Sequence, residues 1–226
     1  MKELIKDLLP PLVLRGVRTV KRKLKPNNAG DGRSQDLNVY WDAQMAHILE
    51  TWGDDNVWNE IQFLMEGIEG RVLDIACGTG KTMEILKGLS RLELHGCDIS
   101  DMLIEQAVKR GLPSERLHVC DATRMPYERG QFDYSYSIGS FEHFTEDGLA
   151  QVIAESARVT KRASFHMVPT SRSGRDEGWM KTYQSFHNCS PAWWSVRFAQ
   201  HFREVAAVGS SWNDDISMGK WFLCRH

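Results

Sequence analysis

The chain has 226 residues, enough for one α/β domain with a sizeable core, and its 42% hydrophobic content is that of an ordinary globular protein. No run of 18 apolar residues occurs, so no membrane-spanning helix is expected, and a formal net charge of −2 leaves no overall basic surplus for nucleic acid. Five cysteines (Cys77, Cys97, Cys120, Cys189, Cys224) leave one over and form no C-x-x-C pair, which points to reduced thiols in a cytoplasm and to no metal cluster.

The N-terminal segment, residues 1–26, departs from this average. Residues 1–25 hold eight basic and two acidic side chains, and no acid lies between Leu12 and Lys25. Leu12, Val13, Leu14, Val17, Val20 and Leu24 add an apolar stripe. A basic amphipathic segment of this kind suits an anionic membrane surface, with cationic heads near phosphates and the stripe in the interface. The same pattern also fits a basic tail or a helix packed on the domain. Pro10-Pro11 and the basic residues replace the apolar core and cleavage site of a signal peptide, so none is expected. Residues 27–37 read as a linker, and 38–226 as one domain whose first part, 38–68, is a helical cap carrying Tyr40, Trp41, Trp52 and Trp58.

The most informative stretch follows: Val72-Leu73-Asp74-Ile75-Ala76-Cys77-Gly78-Thr79-Gly80. An aliphatic run ends in an acid and then a small-residue turn, after which a helical pattern begins at Lys81. Glycines at such a strand-to-helix corner let a ligand lie against the backbone where a Cβ would collide with it. A P-loop would need glycine at position 75, where Ile75 stands, and a three-glycine dinucleotide turn would need one at 83, where Met83 stands. A second strand, 92–97, ends at Asp98-Ile99, 24 residues past Asp74. That is where a doubly wound fold holds a nucleoside's ribose hydroxyls, and one carboxylate can accept both protons. A helix over 100–110 with Ser100 as N-cap comes next. A third strand, 116–120, ends at Asp121-Ala122, and a fourth, 132–138, ends at Ser137-Ile138.

In order and spacing this series resembles the motifs of the class I S-adenosylmethionine-dependent methyltransferases, over roughly residues 70 to 160. The resemblance implies a Rossmann-like α/β fold: a seven-stranded, mostly parallel sheet with an antiparallel last strand and helices on both faces. By the same resemblance S-adenosylmethionine is the cofactor. Asp74, Ala76, Cys77, Gly78, Thr79 and Gly80 would form its methionine end, and Asp98 with Ile99 would take the ribose and an adenine face. Asp121 and Ala122 would meet the adenine amino edge, and Ser137-Ile138 would pass beneath the sulfonium. Tyr40 or Trp41 in the cap would touch the methionine carboxylate. Helices at about 81–90, 146–159 and 190–201 and strands at 162–168, 205–211 and 217–224 complete the expected pattern. The short Trp212-Asn213-Asp214-Asp215 connection requires the last two strands to be antiparallel.

Methyl transfer from sulfur is an in-line displacement, so alignment dominates, and a hydroxyl acceptor also needs a base. Glu142-His143 directly follow the fourth strand, and His143 has the intrinsic pKa of a base near neutrality, although it could simply pack at a helix start. His166 on the fifth strand is a further catalytic candidate. The loop after that strand carries Arg172, Arg175, Glu177, Trp179 and His187, a mixture of aromatic faces and polar groups suited to a polyhydroxylated acceptor, while the arginines suit a phosphate. No Asn/Asp-Pro-Pro-aromatic motif of DNA amino-methyltransferases follows strand four, nor a Pro-Cys nucleophile, nor the acidic pair of arginine methyltransferases. Leu8-Leu9-Pro10-Pro11 ahead of a basic helix resembles the starts of bacterial enzymes of lipid-linked surface polysaccharides such as O-antigen. The expectation is a cytoplasmic enzyme, peripheral at the inner face of the membrane, that methylates a hydroxyl of a sugar or sugar-phosphate. A small-metabolite O- or N-methyltransferase, or a non-catalytic cofactor-binding module, is the alternative.

Overall fold

The computed structural model describes residues 37–54 and 56–226. The basic segment and most of the linker read from the sequence lie outside the described residues. Nine strands and six α-helices follow in order. They are α1 (Ala43–Ile48), α2 (Val57–Met65), β1 (Gly70–Ile75), α3 (Lys81–Leu86), β2 (Leu92–Asp98), α4 (Asp101–Lys109), β3 (Leu117–Val119), β4 (Phe132–Ile138), α5 (Glu146–Val159), β5 (Thr160–Ser171), β6 (Gly178–Met180), β7 (Phe186–Asn188), α6 (Pro191–Phe198), β8 (Glu204–Asn213) and β9 (Ser217–Arg225). Short 3₁₀ turns lie at Leu37–Trp41, Ser114–Arg116 and Phe141–His143.

Seven strands form one sheet in the order β3-β2-β1-β4-β5-β9-β8. The first five are parallel, and β9 runs antiparallel to both β5 and β8. The strand order therefore reverses between β1 and β4, and a crevice opens above the carboxyl ends of those strands. Burial on both faces explains why Val72, Leu73 and Ile75 are all buried in β1. One core layer gathers Val72, Leu94, Tyr136 and Trp221 with α2 and α3. The other gathers Leu73, Phe132, Phe141, Val168 and Phe222 with α5 and α6.

Between β4 and β5 the sheet carries a polar seam. Ser135 Oγ meets Thr160 Oγ1 at 2.6 Å and Ser164 Oγ at 2.5 Å. Ser164 Oγ then meets His166 Nε2 at 2.7 Å, and Ser137 Oγ meets His166 Nδ1 at 2.8 Å. The register places Ser135 opposite Ser164 and Ser137 opposite His166, so all of these side chains share a face.

Helix starts follow local chemistry. Ser100, Thr145 and Ser190 cap α4, α5 and α6 with side-chain oxygens that accept from Leu103, Gly148 and Trp193 N–H groups. The cap read over 38–68 consists of a 3₁₀ turn and two helices, α1 and α2. Two expectations need correction. The helix expected to reach residue 90 stops at Leu86, because Gly88 follows and the chain must turn into β2. The segment after β5, expected as an irregular loop, holds a small antiparallel hairpin of β6 and β7 with Trp179 opposite His187.

Candidate functional site: a nucleoside cavity at the strand ends

A cavity of about 390 Å³ lies at the crevice above β1 and β4. Its floor comes from the turn after β1, with Asp74, Ala76, Cys77, Gly78 and Thr79 all lining it. Gly78 has φ +54°, and a Cβ there would stand 3.0 Å from Leu49 Cδ1, so backbone is what the cavity meets at this point. Gly80 serves packing instead: it lies outside the cavity, and a Cβ on it would collide with Leu112. Ala76 also adopts a left-handed conformation, φ +59°, without being glycine. L-residues other than glycine rarely do so, and such strain concentrates at functional sites.

The three strand-end acids converge on the cavity. Asp98 is buried, with Oδ2 accepting from Gly78 N–H at 2.9 Å and Oδ1 from Ser100 N–H at 2.9 Å. Each oxygen keeps a further lone pair for a ligand hydroxyl. Burial raises the Asp98 pKa above the ordinary carboxylate value, against these backbone hydrogen bonds that lower it. Asp74 lies opposite Tyr136 in the β1–β4 register and accepts its hydroxyl proton at 2.9 Å. Burial raises its pKa strongly. Asp121 is fixed by Thr123, whose N–H and Oγ1 both lie 2.8 Å from Asp121 Oδ1. Ile99, Ala122 and Ile138 supply apolar walls, and the cap contributes Tyr40, Leu49, Trp52 and Trp58. A Cβ-free turn beside an acid that still has acceptor capacity, with apolar walls beyond, fits a nucleoside carrying an amino-acid tail.

Past β4, His143 reaches the cavity from the Phe141–His143 turn. Its Nδ1 lies 2.9 Å from the Ser185 carbonyl, which can only accept, so Nδ1 carries the proton and Nε2 presents a lone pair. Burial lowers the His143 pKa to about 4, which keeps the ring neutral near pH 7. Glu142 stands behind it, with Oε1 3.6 Å from Nε2, and does not line the cavity. Glu142 Oε2 is buried without a hydrogen-bond partner, and burial raises this carboxyl to about 8.

Several expected residues fall elsewhere. Trp41 is exposed outside the cavity, its Nε1–H donating to Asp101 Oδ1 at 2.8 Å. Ser137 and His166 are consumed by the buried seam, and the His166 ring stacks against Phe141 at 4.4 Å and against Phe198 at 5.0 Å. With both nitrogens engaged and burial lowering its pKa to about 3, His166 is packed in the core and does not line the cavity. None of Arg172, Arg175, Glu177, Trp179 and His187 lines the cavity. Arg172 ties β5 to the β8–β9 turn through Asn213 Oδ1 at 3.0 Å and the Asp214 carbonyl at 2.6 Å. Arg175 is exposed, its N–H donating to Ser173 Oγ at 3.3 Å. Glu177 bonds Ser173 and Asn188, each at 2.7 Å, and Trp179 meets His187 edge-on at 4.7 Å. From that loop it is Gln184 that enters the wall, with Nε2 3.4 Å from Tyr40 Oη. Thr145, Asp147 and Gln151 join it from the start of α5. The i, i+4 spacing of Asp147 and Gln151 was readable as one polar helix face, although nothing in it told which way that face looks.

Fold and site together define a class I S-adenosylmethionine-dependent methyltransferase domain, with S-adenosylmethionine as the cofactor of the class. Residues 72–163 match the family model described as "Methyltransferase domain". The chain is similar to an O-methyltransferase, cnsE, of Penicillium expansum, at 30% identity over 58% of this chain and 52% of that protein. It is also similar to a demethylmenaquinone methyltransferase of Thermotoga maritima, at 32% identity over 52% of each. The chain spans about half the length of these curated relatives. The fold matches that of 1,6-didemethyltoxoflavin-N1-methyltransferase of Burkholderia thailandensis, solved with its acceptor and S-adenosylhomocysteine. There the TM-score is 0.63 at 12% identity, covering 89% of this chain and 93% of that one.

Proposed function

We propose that the chain transfers a methyl group from S-adenosylmethionine to a hydroxyl of a small, polyhydroxylated acceptor, a sugar in the first instance, with His143 as the base. The observation that carries the reading is the neutral His143 ring in the cavity wall, its Nδ1 held by the Ser185 carbonyl so that Nε2 keeps its lone pair. Asp74, Cys77, Gly78 and Thr79 would hold the methionine part, Asp98 and Ile99 the ribose, and Asp121 with Ala122 the adenine. Bound there, the cofactor supplies a methyl group activated on a sulfonium. Nε2 accepts the hydroxyl proton as the acceptor oxygen loses it. Because burial also makes His143 a weak base, alignment of the acceptor by the surrounding wall has to supply much of the rate.

Tyr40, Trp52 and Phe144 offer apolar faces to that wall, and Gln184, Gln151 and Asp147 offer a hydrogen-bonding rim. This combination suits a sugar ring, whose C–H face is apolar and whose edge is hydroxylated. Lys81 is the one lysine or arginine among the described lining residues, against four aspartates, which favours an uncharged sugar over a sugar-phosphate. A small-metabolite acceptor is the second reading, favoured by the small molecule bound to the Burkholderia neighbour and by the names of both relatives.

The decisive experiment combines calorimetry with S-adenosylhomocysteine and label transfer from tritiated S-adenosylmethionine into sugar, phenol and amine panels. Transfer to a hydroxyl that is lost in His143→Gln, with cofactor affinity retained, supports the reading. Absence of cofactor binding leaves the silent binding module in its place. A role at a lipid-linked glycan rests on residues 1–25, and sedimentation with anionic liposomes of the full chain against one lacking residues 1–26 tests it. Equal partitioning of the two removes it.

A further inference from the structure

The cap meets the glycine turn at one corner, and the contact there is polar as well as apolar. Leu49, directly after α1, stands over Gly78 so closely that a Cβ would touch its Cδ1. The next residue, Glu50, pairs with Arg110, the C-cap residue of α4. The same guanidinium donates from Nε to the Thr79 carbonyl at 2.9 Å and from Nη1 to Glu84 Oε2 on α3 at 2.7 Å. Its Nη2 also stands 3.4 Å from Thr79 Oγ1. The Arg110 side chain is only 16% exposed, so these bonds are largely shielded from water. One planar cation thus joins the cap, the turn that lines the cavity, and the helices on either side of β2.

Besides Glu50, the cap is tied by Trp41 Nε1–H to Asp101 and by Tyr183 Oη–H to Asp42, and Met45 and Ala46 are buried. Helix α1 is six residues long, well below the length at which a helix stands by its own hydrogen bonds. It nevertheless carries Leu49 into the cavity wall, next to the backbone that a ligand would approach at Gly78. We propose that Arg110 is the latch of this cap: it couples closure of the segment Ala43–Glu50 to the position of Thr79, and release of a bound nucleoside requires Glu50 to leave the guanidinium. Arg110 is a positioning residue, acting on the ligand through Thr79 and Leu49 and not by touching it. The inference rests on the reading of the cavity as the S-adenosylmethionine site.

Two measurements on the full chain test it. Stopped-flow fluorescence of Trp52 and Trp58 follows dissociation of S-adenosylhomocysteine. Glu50→Ala is expected to raise the dissociation rate about tenfold, the size of a coupled, partly buried pair. Glu84→Ala, which leaves the cap side of Arg110 intact, is expected to stay within about twofold. Hydrogen exchange of the amides of residues 45–50 in the ligand-free chain is the second readout, and it does not depend on the cofactor. Glu50→Ala should exchange several-fold faster there than the unaltered chain, with unchanged exchange in β1 and β4. An unaltered dissociation rate, equal effects of the two variants, or equal exchange at residues 45–50 overturns the latch. Failure of the unaltered chain to bind S-adenosylhomocysteine overturns the cofactor reading instead, and the exchange comparison still decides whether Arg110 fastens the cap.

Discussion

His143, in the cavity wall, meets Ser185, the ring Nδ1 donating to the Ser185 carbonyl at 2.9 Å. A backbone carbonyl from the β6–β7 connection thereby decides which nitrogen of a side chain after β4 is free, and the hairpin sets a tautomer as well as a wall. The expected outcome is that His143→Ala lowers turnover about 10²- to 10⁴-fold, the usual yield of a positioned base. Cofactor affinity should be unchanged within twofold, since His143 lies on the acceptor side. Steady-state kinetics beside calorimetry checks both.

His166 should behave in the opposite way. His166→Ala removes a buried ring stacked on Phe141 and Phe198 and leaves Ser137 and Ser164 hydroxyls short of a partner. A loss of about 2–5 kcal/mol of stability follows from the cavity and the unpaired groups together. Chemical denaturation measures it, and turnover per folded molecule should fall far less than in His143→Ala.

Asp98 has two duties. Asp98→Ala removes the carboxylate that would hold the ribose, weakening the cofactor by about 1–3 kcal/mol, and it also strands the buried N–H groups of Gly78 and Ser100. Asp98→Asn keeps one acceptor oxygen and should recover part of the stability without recovering the affinity. Melting curves and calorimetry on the two variants separate the effects.

Ala76 is held at φ +59°, where glycine carries no Cβ penalty. Ala76→Gly should therefore be stabilising by about 1 kcal/mol even though it removes a methyl group, because relief of the strain outweighs the added freedom of the unfolded chain. A lower melting temperature for Ala76→Gly would count against the strain.

Stability should decline as pH rises above 6.5. An unfolded histidine takes up its proton near 6.5, but folded His143 waits until about 4 and His166 until about 3. The unfolded chain then binds more protons below 6.5, so stability falls as pH drops through that window. Glu142 works the other way: folded, it keeps its proton up to about 8, against 4.5 unfolded, so it removes stability as pH rises from 4.5 to 8. Asp74 and Asp98, also raised by burial, add to the same trend. Below 6.5 the two histidines oppose the acids. Above it only the acids remain, and Glu142 alone costs about 2 kcal/mol between pH 6.5 and 8. Melting temperature against pH should decline above 6.5, and Glu142→Gln should flatten that decline.

The strand-end part of the cavity was legible in the sequence because each part is local. Asp74, Asp98 and Asp121 each lie at or just beside the end of a strand whose pattern and turn lie within ten residues, and parallel strands deliver their carboxyl ends to one rim. The rest of the lining was not. Tyr40, His143, Asp147 and Gln184 come from the cap, a 3₁₀ turn, a helix start and a hairpin loop. Arg172 and Arg175 have chemistry suited to a ligand, but the fold of β6 on β7 turns that loop so that only Gln184 reaches inward. His166 misled because an imidazole on a strand reads the same whether it faces a cavity or a sheet-buried row of hydroxyls.

That row has its own consequence for folding. A parallel pair of greasy strands can slide by two positions and lose little, since one aliphatic side chain replaces another. Here the same slip would set Ser135 and Ser137 beside new neighbours and strand Thr160, Ser164 and His166 in a water-free interior. The middle of the molecule is therefore keyed like a lock cut in alcohols and imidazole, and only one alignment of β4 on β5 fits it.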